Sequence, residues 1–143
     1  MKIQQISVFL ENRPGRLGAL CSILAEAGVN LSTLSLADTG EFGLLRLITS
    51  DPDKTLRTLT AAGYAVAQSE VIALQVPDRP GGLAGVLEII EKEGVSVEYM
   101  YAFALRSGQD AVMVFRFSDM DKAIDALHSA GINALHVVDQ LGR

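Results

Sequence analysis

Hydrophobic and polar positions along this chain follow one programme, run twice. Ile6, Val8 and Leu10 alternate with Ser7 and Phe9, and Ile72, Leu74 and Val76 repeat the beat. Alternation of period two predicts a strand in each place. Leu17, Leu20, Cys21 and Leu24, then Leu83, Val86, Leu87 and Ile90, fall at helical spacing and predict one apolar stripe apiece. Gly28 and Gly94 stand where a helix stop is expected. A strand pair follows, Asn30 to Ala37 and Gly43 to Thr49 around Gly40, then Ser96 to Leu105 and Ala111 to Phe117 around Gly108. Second helices open at Ser50-Asp51-Pro52-Asp53 and Ser118-Asp119-Met120-Asp121, both S-x-x-D capping patterns, with Leu56, Leu59, Ile124 and Leu127 as their apolar contacts. Last strands run from Tyr64 to Ser69 and from Ile132 to Val138.

The two runs also share residues. Arg13/Arg79, Pro14/Pro80, Gly15/Gly81, Leu17/Leu83, Ile23/Ile89 and Gly28/Gly94 pair at one constant offset. After two extra residues in the second run, Gly40/Gly108, Asp53/Asp121, Lys54/Lys122 and Leu59/Leu127 pair as well. So long a period means two copies of one small domain, residues 1–70 and 71–143. Each copy reads βαββαβ. The expected fold is α+β: two tandem ferredoxin-like domains, each an antiparallel four-stranded sheet with both helices on one face. Halves of about 70 residues hold modest cores and gain from packing together. Between them Ala65 to Val76 carries no Pro or Gly, so no flexible linker is expected.

Composition narrows the function. The 143 residues carry 12 basic and 17 acidic side chains, a net charge of −5, and the basic ones are scattered singly. Nucleic-acid binding needs a basic patch, so that partner is not expected. The N-terminus reads as a strand without a secretory core, and no uncharged run, Thr58 to Ser69 included, reaches the ~18 residues of a membrane span. The expected location is the cytoplasm. Cys21, the one cysteine, lies on an apolar stripe and reads as a buried, inert thiol. His128 and His136 lack partners at metal-ligand spacing, and no cofactor is expected. Asp51/Asp53 and Asp119/Asp121 read as helix-start charges. Tyr99, Tyr101 and Phe103 share one strand face and read as packing surface. No nucleophile elbow, zinc-protease, Walker or C-x-x-C motif is present, so the chain is expected not to be an enzyme.

The candidate chemistry lies in the first strand-to-helix turn. Leu10-Glu11-Asn12-Arg13-Pro14-Gly15-Arg16-Leu17 is echoed by Val76-Pro77-Asp78-Arg79-Pro80-Gly81-Gly82-Leu83. Gly permits the tight turn, Pro fixes the backbone ahead of it, and free N–H groups at the helix start suit a small anion such as a carboxylate. Asn12 and Asp78 stand beside it with groups suited to an amino acid. Arg13 and Arg79 would clamp a carboxylate, or pair with a nearby Glu, the reading preferred here.

These turns, followed by Gly28-Val29-Asn30, resemble the ACT domain, a small-molecule-binding regulatory module of amino-acid metabolism. The resemblance covers essentially the whole chain as two tandem ACT domains, and the first copy looks most like the serine-sensing type. It implies a non-catalytic allosteric sensor that binds an amino acid, working as a homodimer or on a partner enzyme. The alternative is a regulatory subunit that acts mainly by contacting its enzyme. Implied ligand-binding residues are Leu10, Glu11, Asn12, Arg13, Pro14, Gly15, Leu17, Asn30 and Leu31 in one copy. In the other they are Asp78, Arg79, Pro80, Gly81, Leu83, Ser96 and Val97. The serine type has a His where this chain has Leu10, and Asp78 and Ser96 replace Asn12 and Asn30, so the two sites differ in charge.

Overall fold

A computed structural model describes residues 2–38, 40–104, 110–132 and 134. The chain forms two compact units, one of Gln4–Ser69, the other running from Glu70 onward and taking in Met1–Ile3. Leu105, Gly108, His136 and all but Ile132 and Ala134 of the expected last strand lie outside the described residues.

The first unit comprises β1 (Ile3–Glu11), α1 (Arg16–Glu26), β2 (Leu31–Asp38), β3 (Phe42–Thr49), α2 (Pro52–Ala61) and the start of β4 (Ala65–Val76). Its strands are hydrogen-bonded in the order β2-β3-β1-β4, and β3 is antiparallel to both neighbours. Alternation along β1 sends Ile6, Val8 and Leu10 into the core, where they meet Leu45 and Leu47 of β3 and Leu20, Leu24 and Leu59 from the two helices. Both helices therefore cover one face of this unit's sheet. Leu17 and Cys21 complete the α1 stripe, packed against the core but only partly buried, so the thiol is less enclosed than its pattern implies. Gly28 ends α1 with a φ of 75°, which lets Val29 N–H reach back to the Leu24 carbonyl.

The second unit repeats this with the rest of β4, then α3 (Gly82–Lys92), β5 (Val97–Ala104), β6 (Ala111–Phe117) and α4 (Met120–Ser129). The order is β4-β6-β5, antiparallel throughout. Ile72, Leu74, Val76, Phe115 and Phe117 pack with Val86 and Ile90 of α3 and with Ala123 and Leu127 of α4. Met100 of β5 packs against that core, so the half-buried Tyr99 and Tyr101, paired with Arg116 and Val114, lie on the other face, while Phe103 falls at an irregularity of the register.

Two expectations need correction. Among the described residues the hydrogen-bonded order runs β2-β3-β1-β4-β6-β5, where two separate four-stranded sheets were expected. The cause is the uninterrupted β4, twelve residues that serve the first unit with one end and the second with the other. The caps are also displaced by one residue. Asp51 and Asp119, not the serines, accept the N–H of Lys54 and Lys122 at 3.1 and 3.0 Å. Ser50 and Ser118 instead accept the N–H of Asn30 and Ser96, both at 3.0 Å, and so tie the start of β2 and β5 to the end of β3 and β6. Both residue types cap well, and the aspartate stands one position nearer the helix.

Candidate functional site

Strand β1 ends with Leu10 sealed in the core and Glu11 in solvent. The chain turns through Asn12, Arg13 and Pro14 to Gly15, the N-cap of α1, whose φ of 87° is left-handed. A side chain there would be strained, which accounts for glycine at this point and for Gly81 at φ 84° in the other copy. Asn12 fixes the turn to the β2–β3 hairpin. Its backbone N–H donates to the Glu41 carbonyl at 2.9 Å, and its side-chain amide donates to the Gly40 carbonyl at 3.1 Å and to Asp38 Oδ1 at 3.5 Å. Asp38 Oδ1 also accepts the Gly40 N–H at 2.8 Å. Glu11 pairs with Arg13 and stands 3.8 Å from Arg16, so Arg13 follows the reading preferred from the sequence.

A cleft of about 180 Å³ opens beside this turn. One side is formed by Leu10, Glu11, Asn12, Arg13, Arg16 and Leu17; the other by Leu36, Ala37, Asp38 and Gly43. The sheet register explains the depression. Gly43 pairs with Leu10 on one side and Asp38 on the other, so the middle position of that row has no side chain. Leu36 leans over the gap: a Cβ on Gly43 would stand 3.0 Å from Leu36 Cδ1. Leu36 shares the core face with its partner Leu45, yet on edge strand β2 it remains 50% exposed.

Of the expected residues, Pro14 and Gly15 shape the turn without lining this cleft. Asn30 and Leu31 do not join it either. They sit at the opposite end of β2 from Ala37 and Asp38, roughly 20 Å away along a strand of this length. Asn30 is exposed, with its N–H held by Ser50. Arg16, Leu36, Ala37, Asp38 and Gly43 line the cleft without having been singled out from the sequence. The only signal for the last four is hairpin register: a turn centred on Gly40 sets Asp38 across from Gly43.

In the second copy Asp78, Arg79 and Pro80 are exposed, and Leu83 and Val97 pack partly buried against the core. Ser96 is exposed, its N–H held by Ser118. Here the turn folds tightly on itself. A Cβ on Gly82 would lie 1.9 Å from the Pro77 carbonyl oxygen, so only glycine fits, where the first copy has Arg16.

The first cleft joins an apolar floor to a rim of both charge signs, groups that suit a small zwitterion. Among the described residues no three His, Cys, Asp or Glu side chains gather to hold a metal ion, and no helix is long and apolar enough to cross a membrane.

Comparison with known proteins places the whole chain. The family model described as "ACT domain pair" matches residues 1–140. A crystal structure of a protein from Bacteroides thetaiotaomicron is 42% identical, with a TM-score of 0.90, covering 97% of this chain and 95% of that one. The regulatory subunit of aspartate kinase from Thermus thermophilus, in a ligand-free form, is 15% identical with a TM-score of 0.64, covering 89% and 91%. The corresponding subunit from Thermus flavus is 15% identical with a TM-score of 0.62, covering 90% and 92%; at this identity both show shared fold. No curated protein matches the chain.

Proposed function

The chain belongs to the ACT domain pair family, and on that premise we propose that it is a non-catalytic sensor that binds a free amino acid. The two copies, residues 1–70 and 71–143, carry the ligand-binding turns, and occupancy is passed to a second copy of the chain or to a partner enzyme. The observation that carries this reading is the first cleft, one side of which holds five of the residues singled out from the sequence, Leu10, Glu11, Asn12, Arg13 and Leu17. Its volume equals that of roughly six water molecules, enough for an amino acid and too little for a nucleotide. A ligand that fits one arrangement of the chain better than another shifts the population, and that differential affinity is the signal.

The test is a thermal-shift screen of the full chain against the twenty amino acids. A ligand at 100 times its Kd adds about 2.7 kcal/mol, which raises the melting temperature by about 5–10 °C for a chain of this size. A rise confined to one or two amino acids, lost in Asn12→Ala, supports the sensor. A flat response across the panel overturns it.

A second reading, a regulatory subunit that works by contacting its enzyme, is favoured by Phe9 and Phe42, 55% and 50% exposed. Exposed apolar rings mark interaction surfaces when they cluster. The two lie on neighbouring strands, since Phe9 pairs with Leu44 and Phe42 with Glu11. Ligand-independent co-purification with one enzyme would select this reading.

A further inference from the structure

Resting on the sensor reading, we infer that the first cleft selects an amino acid with a branched aliphatic side chain, and that Gly43 and Leu36 set this preference. The polar groups of the cleft stand at its rim. Glu11, Asn12, Arg16 and Asp38 are exposed, and Asn12 and Asp38 are already bonded to the hairpin. They offer one sign of charge each way to the ammonium and carboxylate that every amino acid carries, so they do not discriminate among side chains. Discrimination falls to the inner surface, and that surface is hydrocarbon. Leu10 is 4% exposed, Leu17 packs on the core, and Leu36 reaches across Gly43. The side chains there are apolar, and burying a hydroxyl, amide or second carboxylate unpaired against them is costly.

The floor exists because Gly43 has no Cβ. One methyl there would meet Leu36 Cδ1 at 3.0 Å, so either Leu36 swings outward or the floor rises. The second copy carries the filled version. Ala111 stands at the place of Gly43, paired with Val76 as Gly43 is with Leu10, and Ala102 faces Met113 as Leu36 faces Leu45. A leucine over a glycine is exchanged for two alanines. The same backbone thus frames two differently shaped floors, and aliphatic selectivity belongs to the first copy.

The experiment is isothermal titration calorimetry of the full chain with leucine, alanine, aspartate and phenylalanine, repeated on Gly43→Ala and Leu36→Ala. The expected result is tightest binding of leucine, with alanine weaker by at least about tenfold, the scale on which apolar pockets tell methylenes apart. Gly43→Ala is expected to weaken leucine by roughly tenfold and leave alanine nearly unchanged. Leu36→Ala, at a half-exposed position that the fold does not need, removes the wall and weakens leucine on the same scale, so the test stands even if Gly43→Ala fails to fold. Tighter binding of aspartate or phenylalanine, or leucine affinity indifferent to both substitutions, overturns this inference and leaves the sensor standing. Absence of binding by all four overturns this inference, and a flat thermal-shift response to all twenty amino acids overturns both.

Discussion

The first turn and the second start from the same Arg-Pro-Gly and finish differently. In the first, Glu11 and Arg16 stand out into solvent as a charged pair beside an open cleft. In the second their counterparts are Pro77 and Gly82, and the Pro77 carbonyl fills the space a side chain would need. The cores diverge in the same compensated manner. Thr49 and Thr55 share a buried hydrogen bond of 2.8 Å, and Thr55 donates onward to the Asp51 carbonyl. Their counterparts are Phe117 and Ala123, one large and one small, with Phe117 stacked on Phe115 at 5.2 Å. A repeated backbone tolerates such exchanges when volume is redistributed within a contacting pair. The chemistry offered at each turn then depends on one or two strand positions beside it, outside the repeated motif.

The largest expected difference lies in the cores. Phe117→Ala should cost about 3–5 kcal/mol in urea unfolding, since a fully buried ring leaves a cavity. Thr49→Ala should cost only about 1 kcal/mol, because Thr55 keeps its bond to Asp51. Equal costs would mean that the copies are not compensated as described. Next come the turns. Gly82→Ala forces backbone apart and should cost about 1–3 kcal/mol, whereas Arg16→Gly should lose no more than about 1 kcal/mol of helix propensity. The helix caps should erase the difference. Asp51→Ala and Asp119→Ala should each cost about 1 kcal/mol, as the cap bond is the same in both copies.

The smallest effect concerns Lys2, in the second unit, whose ammonium lies 2.9 Å from Asp121. The hydrogen bond and charge of Asp121 raise its pKa above the ordinary lysine value. A raised pKa means that the folded state holds the proton more tightly. The stabilisation is therefore complete at neutral pH and disappears as pH rises through the raised value. The gap between wild type and Lys2→Met in a urea midpoint series should accordingly close at strongly alkaline pH.

The repeat, the order of elements and the helix stripes were legible in the chain because period and turn chemistry are local. Leu20, Leu24, Val86 and Ile90 sit buried where their spacing put them. The uninterrupted run from Ala65 to Val76 is one strand, as its lack of Pro and Gly implies, but that it joins the hydrogen-bonded order into a single series depends on pairings between distant segments. The cap positions were misread by one residue because Ser and Asp compete for the same role and only the β2–β3 and β5–β6 clasps decide between them. The far wall of the cleft was not legible. Leu36, Asp38 and Gly43 belong to no motif, and only strand register brings them beside Leu10.

The most direct test of the central claim is an amide-resolved NMR titration of the full chain with the amino acid that the thermal-shift screen selects. Shifts are expected to concentrate at Glu11 to Leu17 and at Leu36 to Gly43, the two sides of the first cleft. Shifts confined to other residues, with both of these segments unmoved at saturation, would contradict it.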